Sequence, residues 1–363
     1  MRKLVLVLAV VVAATAVVPA TAVAQSGGDC SFPHERTDAT GTTVTVSDEP
    51  TSVVTLNPSA AQTMWEIGAR DEVVGVTKYA ANLEGAAAKT NISGGGQTIS
   101  NEEVVGLNPD LVIAPNTISN ETVQTLRGAN LTVYRFREAE SIDDIKRKTH
   151  IIGHLVGECD GASETVDWME SRLSTVDEAV GDAERPDVIY AFYSFTSGEN
   201  TFIDTVLERA GATNVAADAG ITGYTQISDE ILVQESPDWI VLNSDWDEVP
   251  NSAAYNSTTA VQENQTVVVN KNHLNRPAPR VVYAVTTLAQ AFHPDAYAAA
   301  NATATPTPTA TARQTATQTA TAMDEPTATV TTTGTPGESG PGFGVVAALV
   351  ALAATLVAAH TRR

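Results

Sequence analysis

The chain has 363 residues, 43 acidic against 21 basic, and a formal charge of −22 at pH 7. So acidic a surface repels nucleic acid and anionic lipid, which excludes both as electrostatic partners. Abundant carboxylates with little lysine suit strong salt, where repulsion is screened within ~3 Å at 1 M, and the length accommodates two core-bearing lobes once the ends are set aside.

Arg2 and Lys3 precede an apolar run from Leu4 to about Val18, and Ala22-Val23-Ala24 offers small residues for cleavage, so residues 1–24 read as a secretory signal. Residues 25–50 follow as an N-terminal extension with a small strand. The two cysteines are Cys30 and Cys159; an even count in an exported chain favours a disulfide over a metal site.

From Thr51 short apolar runs alternate with helical patterns. Val53–Leu56, Val73–Val76, Leu111–Ala114 and Leu131–Tyr134 read as strands, separated by helices over Ser59–Gly68, Asn101–Leu107 and Ser119–Gly128. The alternation predicts an α/β lobe over residues 51–140 with a mostly parallel central sheet. Residues 141–185 break that rhythm. Between Ser141 and Asp182 no strand-like run occurs, and Ile142, Ile145, Ile152, Leu155, Val166, Met169, Leu173 and Val176 recur at helical spacing. One long connecting helix, or a collinear pair interrupted near Gly157 and Gly161, is expected there. Alternation resumes at Asp187, giving a second βα lobe over residues 186–300.

The lobes share a repeat. "ISNEEVVGLNPDLVIAPN" (Ile99–Asn116) and "ISDEILVQESPDWIVLNS" (Ile227–Ser244) align without a gap. Each has a Ser able to cap a short helix, a Glu in its first turn, a Pro that stops it and an apolar strand. Open α/β sheets bind ligands beyond the carboxyl ends of their strands, so two such lobes place a ligand cleft between their loop-bearing edges. Pro58 and Ser59 follow the first strand, and a helix starting at Ser59 aims its unpaired N–H groups into that cleft. Position alone adds Gly95 and Gln97, from a Gly-rich run whose bare backbone is open to a ligand, and Trp246 beyond a strand end, while Tyr193 fits the cleft or the sheet equally.

Residues 301–340 are dominated by Thr, Ala and Pro and read as an extended stalk. Phe343–Ala359 is an apolar stretch of 17 residues followed by Arg362 and Arg363, long enough at ~1.5 Å per residue for a marginal membrane span. Six N-x-S/T sequons, at Asn91, Asn120, Asn130, Asn256, Asn264 and Asn301, fit an outside location and glycosylation. With Pro341-Gly342-Phe343 at its border, the segment 341–363 resembles the PGF sorting signal of haloarchaeal surface proteins. That resemblance implies processing by an archaeosortase, a lipid anchor in place of the span, and tethering to the extracellular face of the membrane.

The globule from about Val53 to Tyr297 resembles the substrate-binding proteins of ABC importers with a single connecting helix, the type that serves cobalamin and iron-siderophore uptake. The motifs that carry it are, in order, "NPSAAQTMWEIGARDEVVGVTKY", "LNPDLVIAP", "FTSGENTFIDTVLERAGATNV", "YTQISDE", "SPDWIVL" and "NRPAPRVVYAVTTLAQAFHP". The resemblance implies a monomer that is not an enzyme and needs no cofactor. It captures cobalamin or a related corrinoid, with a ferric siderophore or heme as the alternative cargo, and delivers it to permease and ATPase subunits. Matched residue by residue, it puts Tyr79, Phe195, Tyr224 and Arg276 around the ligand and makes Glu102 and Glu230 the carboxylates that meet arginines of the permease. Aromatic faces suit a broad apolar ligand, and Arg suits a polar group at its rim. Gly96 and Pro115 stand where that family carries first-lobe aromatics.

Three other readings compete. His150 and His154, spaced i, i+4, have chelating geometry, but they lie on the connecting element away from the cleft loops and are read as a solvated helix face, so no metal is expected. No G-x-S-x-G elbow, P-loop or H-E-x-x-H motif supports catalysis. Stalk, anchor and sequons also fit a surface-layer adhesion protein, but βα lobes point to a small-molecule clamp, since adhesive modules are more often sandwiches of regularly spaced strands.

Overall fold

Strands buried on both faces read as unbroken apolar runs, and period-2 alternation then sends successive side chains into two different cores. The computed structural model describes residues 30–96 and 98–303. The expected signal, stalk beyond Thr303, apolar span, sorting signal and Gln97 lie outside the described residues. The chain divides into two compact units, residues 1–309 and 310–363, and every described residue belongs to the first.

A hairpin of β1 (His34–Thr37) and β2 (Thr43–Val46) occupies the N-terminal extension, where the sequence predicts one small strand. The first lobe follows as β3 (Val53–Thr55), α1 (Pro58–Glu66), β4 (Val73–Val76), β5 (Thr90–Asn91), α2 (Asn101–Leu107), β6 (Leu111–Ala114), α3 (Asn120–Gly128) and β7 (Val133–Arg135). Its strands pair in the order β5-β4-β3-β6-β7, all parallel. Val53, Leu111 and Ile113 enter one core with Met64, while Val54, Val112 and Ala114 enter the other with Leu126. β7 starts two residues later than predicted, because Leu131 closes the end of α3 through its N–H to the Leu126 carbonyl.

The segment 141–182 is a helical hairpin, which corrects the collinear expectation. α4 (Ile142–Val156) ends at Gly157, whose φ of 84° is the left-handed stop that glycine allows. α5 (Cys159–Val180) then runs back along it: Lys146 of α4 pairs with Glu170 of α5 at 3.4 Å, and a Cβ at Gly153 would collide with that of Ala162. The 22-residue α5 is the long connector, its start bonded to the first lobe through Thr165 to the Glu66 carbonyl and its end, from Leu173 to Val180, in the second-lobe core. α4 doubles it, with Ile152 and Leu155 in the first-lobe core and Ile142 and Ile145 in the second. The Cys30–Cys159 disulfide ties the N-terminal segment to the turn of this hairpin.

The second lobe contains β8 (Asp187–Tyr190), β9 (Phe195–Ser197), α6 (Phe202–Arg209), β10 (Thr213–Asn214), α7 (Val215–Asp218), β11 (Tyr224–Gln226), α8 (Asp229–Glu235), β12 (Trp239–Asn243), α9 (Ala253–Asn256), α10 (Thr259–Gln262), β13 (Thr266–Val269), α11 (Lys271–Leu274), α12 (Val281–Phe292) and α13 (Pro294–Thr303). Its parallel sheet has the order β10-β8-β12-β13, with β9 and β11 as a separate antiparallel pair. α13 continues through Thr303, so the first residues assigned to the stalk are helical. Among the described residues no helix is long and apolar enough to cross a membrane.

The sequence repeat is a structural one. Ser100 and Ser228 cap α2 and α8 through their hydroxyls, and Asn108 and Ser236 end them at φ of 45° and 42°. The Asp110 N–H then donates to the Ser52 carbonyl ahead of β3, and the Asp238 N–H to the Asp187 carbonyl in β8. β3-β6-β7 in one sheet thereby corresponds to β8-β12-β13 in the other.

Candidate ligand-binding cleft

The polar face of α1 joins the lobes. Ser59, Gln62 and Glu66 are spaced i, i+3, i+7 and share one side of the helix, while Ala60, Ala61 and Met64 fill the first-lobe core. The Gln62 amide donates to the Asn272 carbonyl at 3.0 Å and accepts from the Arg280 N–H at 3.1 Å. Arg280 also pairs with Glu66 at 2.6 Å. With α4 and α5 crossing the same boundary, this seam bonds the two lobes to each other.

Above the seam, the loops beyond β8 and β12 build an aromatic wall. Tyr190, nearly fully buried, stacks on Phe192 at 5.0 Å, and Phe192 lies 6.0 Å from Phe195 and edge-on to Tyr224 at 6.1 Å. Tyr193, held at a φ of 53° that a bulky residue rarely adopts, packs 5.1 Å from Trp246. Phe195, Tyr224, Tyr193 and Trp246 are each 37% to 55% exposed, an unusual amount of aromatic surface left to water in one lobe.

A buried polar network carries that wall. The Tyr190 hydroxyl donates to Asn275 at 2.7 Å and accepts from the Asn243 amide at 2.8 Å, and Asn243 accepts in turn from the Asp245 N–H at 2.9 Å. Burial pushes the Tyr190 hydroxyl up to about 12, so it remains a donor at neutral pH. The same residues thus orient the loop bearing Trp246 and the segment leading to Arg276.

The first lobe contributes less aromatic surface. Tyr79 is 42% exposed, its hydroxyl donating to the Gly96 carbonyl at 3.3 Å and the Lys78 ammonium lying 5.2 Å from its ring. Gly95 is exposed in a turn closed by the Gly94 N–H to the Thr98 carbonyl at 2.8 Å. Glu138 reaches toward the opposite wall: burial, and after it the Glu138 charge, raises the pKa of the Tyr224 hydroxyl.

Three expectations are corrected. α1 starts at Pro58, not Ser59, and Asn57 caps it by accepting from the Ala60 N–H at 2.9 Å. Pro58 is half-buried and has no N–H, while the buried Ser59 hydroxyl accepts from the Lys148 ammonium at 3.2 Å; this helix end is therefore closed by the protein itself. Arg276 is no rim residue. Only 8% exposed, it donates from the second lobe to the Tyr79 carbonyl at 2.7 Å and to Asn82 at 2.9 Å, and burial with the neighbouring Arg280 charge lowers its pKa to about 10. It is a strut beneath Tyr79. His154, finally, is not on a solvated face: Nδ1 lies 3.2 Å from Cys159 Sγ and the ring stacks on His34 at 5.4 Å, with both cysteine sulfurs consumed by the disulfide.

Glu102 and Glu230 occupy equivalent exposed positions in the first turns of α2 and α8, where the helix dipole favours a carboxylate. Among the described residues neither forms an ion pair. Sequence reasoning missed Phe192 as a member of the wall and left Tyr193 open between cleft and sheet; the signal available was the aromatic density of Tyr190-Ala191-Phe192-Tyr193-Ser194-Phe195.

The family model described as periplasmic binding protein matches residues 53–272. A cobalamin-binding protein of Halobacterium salinarum is 46% identical over 277 residues, 73% of this chain and 75% of that protein. A vitamin B12-binding protein of Vibrio cholerae is 25% identical across 64% of this chain and 86% of its own length. Among solved structures, the apo form of a periplasmic heme-binding protein from Roseiflexus sp. RS-1 superposes with a TM-score of 0.61 at 24% identity, covering 68% of this chain and 98% of that one.

Proposed function

The chain belongs to the periplasmic binding protein family, and from that premise we propose that it captures cobalamin or a related corrinoid outside the cytoplasm and delivers it to an ABC permease with its ATPase. The observation that carries this reading is the exposed wall of Phe195, Tyr224, Tyr193 and Trp246 set across the seam from Tyr79. A corrin presents a broad, largely apolar face, and rigid aromatic side chains cover such a face at low entropic cost. The 46% identity to a protein named for cobalamin binding supports the same cargo.

The seam and the doubled connector favour a largely preformed site, so affinity comes from preorganisation rather than wide closure. Glu102 and Glu230 dock the permease, one from each lobe. The chain acts as a monomer without catalysis or resident cofactor, anchored at the membrane surface by its C-terminal segment after archaeosortase processing.

Heme is the second reading, favoured by Tyr79, Tyr193 and Tyr224, whose hydroxyls are potential ligands to ferric iron. Calorimetric titration of the full-length protein in strong salt with cobalamin, heme and a ferric hydroxamate separates the cargoes. One-to-one heat with cobalamin and none with the others is expected; binding of heme alone would replace the first reading with the second.

A further inference from the structure

A cavity of about 290 Å³ lies between the residues after β7, the β1–β2 hairpin and α4. Its charge is opposite to that of the molecule. Of the acids in its lining, Asp38 is paired with Arg127 at 2.7 Å and Asp144 with Arg147. The Arg135 guanidinium is spent on Asn120 and the Ile118 and Asn116 carbonyls. Among the described residues no carboxylate neutralises Arg135 either, so the remaining charge is that of Arg36, whose side chain meets the Tyr134 hydroxyl, with Arg135, Arg137 and Lys148, against Glu138 alone.

Lys148 is the unusual member. Its side chain is buried, its ammonium donates to the Ser59 hydroxyl and the Pro277 carbonyl, both at 3.2 Å, and it lies 5.9 Å from the Phe136 ring. Among the described residues no carboxylate pairs with it. Ser59 stands in the first turn of α1, where the helix dipole is positive and a cation is disfavoured. A buried charge left uncompensated is costly, and an arriving anion removes that cost.

We infer that this cavity is an oxyanion site, in which Lys148 at the floor and the guanidinium forks of Arg36 and Arg137 hold a phosphate group. Its volume is at the small end of ligand pockets, ~300 Å³, which suits a phosphate group rather than a whole corrinoid. Lys148 touches Ser59 and Pro277 at the interlobe seam, and Glu138 acts on Tyr224 of the cleft wall, so the cavity adjoins the cleft. Two sources share the chemistry: free phosphate, or the phosphodiester of a cobalamin bound in the cleft, the latter resting on the proposed function.

The test is ³¹P NMR titration of inorganic phosphate into the full-length protein at constant ionic strength. Saturable binding is expected, weakened about 10-fold in Arg137→Gln and in Arg36→Gln and lost in Lys148→Met. The two arginine variants change exposed side chains and keep the test decisive if Lys148→Met does not fold. Displacement of phosphate by cobalamin but not by cobinamide, which lacks the phosphodiester, assigns the site to the cargo; phosphate that stays bound beside cobalamin assigns it to the free ion. Equal phosphate binding by wild type, Arg36→Gln and Arg137→Gln overturns the site. Phosphate binding by a protein that takes no corrinoid, heme or ferric hydroxamate leaves the site standing and sinks the transport reading instead.

Discussion

From Ser100 to Ala114 the first lobe runs through a hydroxyl cap, a two-turn helix, a left-handed stop, Pro-Asp and a buried strand, and from Ser228 to Leu242 the second lobe repeats each step. The cleft-facing loops do not repeat. The first lobe exposes Tyr79 where the second exposes Tyr193, Phe195, Tyr224 and Trp246. Capping and strand entry are backbone requirements that any such lobe must satisfy, whereas the wall, on the proposed function, answers to the ligand. On the proposed function, the contrast puts the most apolar face of the cargo against the second lobe.

If Glu102 and Glu230 dock the permease as proposed, they should behave alike, since both belong to the repeated part. Reversing both, Glu102→Lys with Glu230→Lys, is expected to cut cellular uptake about 100-fold, because like charges across an interface cost several kcal/mol, and to leave cobalamin affinity unchanged. Each single reversal should cost a similar fraction. Loss from one lobe only would show that the equivalence stops at the backbone.

Lys148, beside the seam between the lobes, gives a pH-dependent test. Burial lowers its pKa from 10.5 to about 8, so between those values the unfolded chain binds more protons than the folded one. Stability in phosphate-free buffer should therefore rise as pH goes from 8 to 10.5, by on the order of 3 kcal/mol. Lys148→Met should flatten that rise in urea melts; an unchanged slope would mean the ammonium is not uncompensated.

The smallest effect separates the Pro-Asp carboxylates. Asp110 accepts from the N–H and hydroxyl groups of both Thr51 and Ser52, whereas Asp238 accepts from the Asp187 N–H. Asp110→Asn should cost about 1 kcal/mol at pH 7 and Asp238→Asn less. Burial alone would raise the Asp110 pKa, but those hydrogen bonds hold it below the usual range. The difference should persist above the unfolded-state value near ~3.9 and fade as pH falls through the folded one. Equal losses in denaturation at both pH values would mean the lobes are anchored alike.

What is written locally was legible. Apolar strands, Ser caps, the repeat and the cysteine pair follow from neighbouring residues or from a count, and each has its place in the fold. The helical hairpin was not, because a glycine that ends one helix and a glycine inside a longer one have the same local pattern; the packing of α5 against Ile67 and Ala162 against Gly153 decides it. Side-chain direction was equally hidden. Ser59 and Arg276 sit at cleft positions by chain order, yet both are buried and bonded across the lobe boundary. Tyr193 stayed open between cleft and sheet because its left-handed backbone, not its place in the run, turns it outward.

The account depends on the cargo lying against the second-lobe wall. Cobalamin affinity of the full-length protein carrying Phe195→Ala with Trp246→Ala, measured by calorimetry in strong salt beside the wild type, tests this directly. Two truncated anchors at ~2 kcal/mol each predict a loss of roughly 1,000-fold with the fold retained by circular dichroism. Wild-type affinity in the double variant would place the ligand elsewhere and contradict the account.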